Sequence, residues 1–109
     1  METKSFEKAK IMNFAELVEY SDNGIISKRV LENKNGNVSL FSFDKGQLLS
    51  EHTAPFDAMV QVLEGKAEIV ISGQAHHLKV GEAIIMPANI PHAVNAKERF
   101  KMLLTMIKE

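Results

Sequence analysis

No cysteine occurs among the 109 residues, which excludes a disulfide, a thiolate metal ligand and a cysteine nucleophile. Any metal site must therefore draw on nitrogen and oxygen donors, meaning the four histidines and the carboxylates. An excess of one charge is missing as well. The 13 Lys and Arg balance 14 Asp and Glu to a formal net charge of -1 with no basic stripe, which argues against nucleic acid as a partner. No apolar run approaches the ~20 residues that cross a bilayer. The charged opening METKSFEKAK lacks a following hydrophobic stretch, so the expectation is a cytoplasmic protein with no membrane partner. Internal repeats, linkers, a Ser/His/Asp arrangement, a phosphate-binding glycine loop and a paired-carboxylate pattern are all absent.

What is present is an ordinary globular composition, 45% apolar and 25% charged, of a length that suits one domain. Asn13 followed by Glu16 reads as an N-cap with a first-turn acid and predicts a short helix over Phe14 to Tyr20. From Ile25 onward the texture changes to short runs rich in Val, Ile, Leu and Phe, separated by Asn-Gly, Lys-Gly, Glu-Gly and Ser-Gly pairs or by Pro. The runs are Ile25 to Glu32, Val38 to Phe43, Met59 to Leu63, Ala67 to Ile71, His76 to Val80, Ala83 to Met86, Ala93 to Ala96 and Lys101 to Ile107. Such spacing predicts an all-β sandwich or barrel. Asn33 to Gly36 and Ser72 to Gln74 are the clearest hairpin turns.

Two glycine-framed segments carry the functional information: Gly46 to Gly65, GQLLSEHTAPFDAMVQVLEG, and Gly81 to His92, GEAIIMPANIPH. Together they resemble the two signature motifs of the cupin family. In that family the first motif reads Gly, five residues, His-x-His, three or four residues, Glu, six residues, Gly. The second reads Gly, five residues, Pro-x-Gly, two residues, His. Gly46, His52 and Gly65 keep the first frame, and Gly81, Pro87 and His92 keep the second. Ala54 stands where the second His belongs, Ala58 where the carboxylate belongs and Asn89 where the second motif's inner Gly belongs. The departure at Asn89 is mild, because Asn also accepts left-handed geometry. Gly65 and Gly81 are expected at strand turns. The resemblance covers roughly Val38 to Ile107 and implies an all-β jelly-roll barrel. Residues 1–37 would form the N-terminal helix and first strand packed on it, and residues 38–109 the barrel itself.

In the intact family pattern, residues i and i+2 of a strand share a face, so His-x-His chelates one ion from a single strand. Divalent sites of this kind usually have at least three protein ligands. Here His52 and His92 supply two. Asp57, one residue before the carboxylate position, is the candidate substitute: at a loop-to-strand junction it would swing inward, and on a regular strand it would face away. Glu51, Gln61 and His76 are weaker candidates by the same alternation. The competing reading makes His52 and His92 polar groups of a pocket, hydrogen-bonded to water, backbone or an acidic ligand. It makes Asp57 a carboxylate that pins its own loop. His76 and His77 are adjacent and face opposite ways, which leaves at least one of them on a solvated edge.

Two functions follow as leading expectations. The first is a barrel binding a small molecule at His52, His92 and Asp57, with an incomplete metal-ligand set. The second is a metal-dependent enzyme of the dioxygenase or isomerase class, in which His52, His92 and a substitute such as Asp57 hold a divalent transition metal, zinc, manganese, iron or nickel. A third is a dimeric accessory module acting on a protein partner. Apolar residues on both faces of the last run, Met102, Leu104 and Met106 against Leu103 and Ile107, indicate that it is covered twice. A homodimer supplies the second cover, as the resemblance also implies.

Overall fold

A computed structural model describes residues 6–108. Eight strands follow one turn of 3-10 helix at Phe14–Glu16: β1 Ile25–Asn33, β2 Gly36–Phe43, β3 Leu48–His52, β4 Asp57–Ile71, β5 Gln74–Lys79, β6 Ala83–Met86, β7 His92–Asn95 and β8 Phe100–Ile107. Every pairing is antiparallel. One sheet runs β1-β2-β8-β4-β6 and the other β3-β7-β4-β5, so β4 belongs to both. The two faces close on each other as a jelly roll.

The runs Met59 to Leu63 and Ala67 to Ile71 are two halves of this single strand. Gly65, expected at a turn between strands, instead bends β4 from one sheet into the other. Its φ is +76°, the pairing with β8 slips between Val62 and Glu64, and a Cβ built there would land on the carbonyl oxygen of Arg99. Only glycine combines that backbone angle with so close an approach.

Inside the barrel, alternate residues of β2 point inward. Phe43 stacks on Phe100 with centroids 4.6 Å apart and on Phe41 at 6.0 Å. Val60, Val62, Ile69, Val94 and Met102 belong to the same buried cluster. Met102, Leu104 and Met106 of β8 belong to this interior, and Leu103, Thr105 and Ile107 alternate to the outer face.

The helix expected over Phe14 to Tyr20 is shorter than the sequence implies. Asn13 does cap it, its Oδ1 accepting from the Ala15 N–H at 3.1 Å, but the turn ends at Glu16. The outer face of the barrel holds the segment instead, bent at Leu17 and Val18 and irregular beyond. Lys101 Nζ donates to the carbonyl of Ala15 (2.6 Å), Lys28 Nζ to that of Leu17 (2.8 Å) and the Ser42 hydroxyl to that of Glu19 (2.7 Å). Alternate carbonyls turned toward the barrel cannot serve as helical acceptors. Val18 is buried beneath this strap, outside the barrel cluster.

Candidate functional site

Two short connections meet at one lip of the barrel. The first, residues 53–56, leads from β3 to β4, and the second, residues 87–91, leads from β6 to β7. They are stitched together. The Asn89 N–H donates to the Ala54 carbonyl at 2.7 Å, and the Ala88 N–H donates to Asp57 Oδ1 at 2.8 Å. Ser72, in the β4–β5 turn, adds an N–H to the Pro91 carbonyl at 2.8 Å. Asn89 takes the left-handed conformation (φ +65°) that the family pattern assigns to glycine.

This stitching sets the last residue of β3 and the first of β7 side by side. His52 pairs with His92, which in turn pairs with Ile71 of β4. The imidazole centroids are 4.4 Å apart with planes at 69°, an edge-to-face contact. His92 is buried, 6% exposed, and His52 is open to solvent. Each Nδ1 faces a backbone carbonyl two residues earlier, Ser50 at 2.8 Å for His52 and Ile90 at 3.3 Å for His92. A carbonyl accepts only, so both Nδ1 atoms carry the proton and both Nε2 lone pairs are left free. Burial, and then the neighbouring His52 ring, push the His92 pKa below its ordinary 6.5.

The other candidates lie elsewhere. Ala58, buried at 4% exposure, pairs with Met86 and Met106 and contributes a methyl group to the interior. Asp57 alternates away from Ala58 on a regular strand, with one carboxylate oxygen engaged by Ala88. Glu51 is exposed, and Gln61 sits on the same outward alternation as Asp57 and Met59. His76 is half-buried on β5 with Nδ1 3.3 Å from the Ile69 carbonyl. Among the described residues, no three His, Asp or Glu side chains converge as a metal centre. The donor set at the lip, two imidazole nitrogens and two alanines, does not fit the three-ligand minimum of a divalent site.

Two groups escape sequence reasoning. Glu68, buried on the outer face of the second sheet, accepts from Asn95 Nδ2 at 2.9 Å, Lys97 Nζ at 2.9 Å and His77 Nε2 at 3.0 Å. Those donors, led by Asn95, hold its pKa down to about 2. It joins β4, β5 and β7, and its signal was a charge in the middle of an apolar run. Asn37 is the other. It is buried at 6% exposure, and its Oδ1 has no protein partner among the described residues.

A family model described as Cupin domain matches residues 39–107. No curated protein matches the chain. Among solved structures, a conserved protein of unknown function from Streptococcus pyogenes is 37% identical, over 97% of this chain and 93% of that one, with a TM-score of 0.91. A cupin 2 conserved barrel domain protein from Leptotrichia buccalis is 44% identical over 89% of this chain, which spans 47% of that longer one, with a TM-score of 0.86. A salicylate 1,2-dioxygenase from Pseudaminobacter salicylatoxidans superposes at a TM-score of 0.72 over 77% of this chain and 26% of that one, but at 16% identity it shares the fold alone.

Proposed function

The chain belongs to the cupin family, and on that premise we propose that it is a barrel that binds a small acidic molecule at the lip formed by His52 and His92. The observation that carries this reading is the retained pair of imidazoles, 4.4 Å apart, beside alanine at both remaining ligand positions. Two nitrogens hold an ion weakly. They suit a carboxylate, because one free Nε2 can take up a proton from solvent as the anion binds and the resulting imidazolium pairs with it. Metal analysis of protein purified without an affinity tag tests it. The expected result is a metal content far below one per chain, together with binding of a simple carboxylate that tightens as pH falls toward 6. A stoichiometric transition metal would overturn it in favour of a metal-dependent enzyme of the dioxygenase or isomerase class. For that second reading the supporting observation is the pair of unprotonated Nε2 atoms, which also suits metal ligation.

We propose in addition that the protein is a cytoplasmic homodimer. Leu31, Val38, Thr105, Met59 and Ile85 form one uncharged row across five strands of the outer face, about 19 Å long at the usual strand spacing. A second copy, laying the same row against it about a two-fold axis, is the occupant such a face fits.

A further inference from the structure

Resting on the homodimer proposed above, we propose that the N-terminal strap of each copy docks on the lip of the other. Ile11 and Met12 then seat in a cleft that both lip connections line.

The cleft and the arm are complementary. The cleft, of about 380 Å³, is walled by Pro55 and Phe56 of the first connection, Ala88 of the second and Ile107 of β8, with Asp57 and Lys108 beside them. Ile107 is 64% exposed there. Ile11 is 99% exposed and Met12 39%, although they lead straight into a strap fastened to the barrel at Ala15, Leu17 and Glu19. Two neighbouring apolar side chains in water gain by entering an open apolar cleft. The charges match as well. Glu7 and Lys10 pair at 3.8 Å with both side chains largely exposed, and the cleft offers them Lys108 and Asp57.

The arm of the same copy does not reach. Lys101 fastens Ala15, and Ile107 lies six residues farther along β8, about 20 Å away. The four residues from Ala15 back to Ile11 span about 14 Å at most. Symmetry supplies the second copy's arm instead. On β8 the fastening Lys101 lies to one side of Thr105, the row's central residue, and Ile107 lies to the other. A two-fold axis parallel to the strands would set strap on strap and prop the two rows apart. An axis along the row lays each residue of the row on its own counterpart and carries each strap to the opposite end of the other copy, where the cleft opens. Because the cleft is lined from both connections, the docked arm bridges the loops that set His52 beside His92.

The absence of cysteine makes introduced thiols a clean reporter. Wild type should sediment as a dimer at micromolar concentration. Ile11→Cys protein coexpressed with Ala88→Cys protein and treated with a short bismaleimide should yield covalent dimer, and either variant alone should yield none. Ile11→Lys should weaken dimerisation at least about tenfold on dilution, since each dimer loses two buried isoleucines. Its far-UV circular dichroism should match wild type, because Ile11 is exposed within its own copy. Covalent dimer from Ile11→Cys alone, at the yield of the mixture, would set arm against arm and overturn the arrangement. A wild-type dimer that Ile11→Lys leaves intact, or whose mixture gives no covalent product, also overturns it while the homodimer stands. A wild-type monomer removes the homodimer and this inference together.

Discussion

His92 makes the stability of the fold sensitive to pH. Its ring is buried beside a second imidazole, and both circumstances disfavour the charged form, so its folded pKa lies below 6.5. An unfolded chain restores the ordinary value. Between the two values the unfolded state holds more protons than the folded one, and stability drops as pH falls below about 6.5. His92→Phe should flatten that part of a melting-temperature profile, and a profile unchanged by the substitution would show that the pair does not resist charging. NMR titration of the two rings with and without chelator separates the readings further. Curves indifferent to chelator fit an organic ligand, and curves that emerge only after chelation fit an ion. The alanines give the complementary prediction. Ala54→His with Ala58→Glu should raise zinc or manganese affinity by orders of magnitude, measured by titration, because two ligands become four. Equal affinities would mean that the native site is already complete through other residues, or that the space beside Ala58 has no room for the ion. Of these residues, the histidines were legible because motif spacing names them. Asn37 and Glu68 were not, because what matters about each is which partners the sheet registers bring, and register is a long-range property.

The bent strand β4 is the element on which the site depends. Its first half carries Ala58 and its second half carries Ile71, the neighbour of His92, so the angle at Gly65 fixes how Ala58 is set relative to the histidine lip. Gly65→Ala should destabilise the protein by at least about 2 kcal/mol, since a positive φ and a backbone clash must both be relieved. Chemical denaturation measures it, and a loss below half that would mean the bend relaxes readily. Most strands were legible from their alternation and turn residues. β3 was not, since Leu48 to His52 is a mostly exposed edge strand with no apolar run to announce it. The N-terminal helix was overestimated because the competing partners for its carbonyls, Lys28, Ser42 and Lys101, are distant in the chain. A local cap outweighed them only for one turn.

At the scale of the molecule, the outer face supplies the test of pairing. Met59→Lys and Ile85→Lys place charge on the uncharged row without touching the core, and each should convert a dimer to a folded monomer in sedimentation at micromolar concentration. Met102→Asp, by contrast, buries a charge at a fully enclosed position and should unfold the barrel outright, at a cost of several kcal/mol. A wild-type monomer at that concentration would refute the dimer. The order of strands has one more consequence, for synthesis. β8 lies in the middle of its sheet, between β2 and β4, although it comes last of these eight strands in chain order. Until residues 100–107 have left the ribosome, β2 and β4 each present an unpaired edge and the stacking partner of Phe43 does not yet exist. The nascent chain must therefore wait with its central gap open, and the barrel closes only once that final strand slots in.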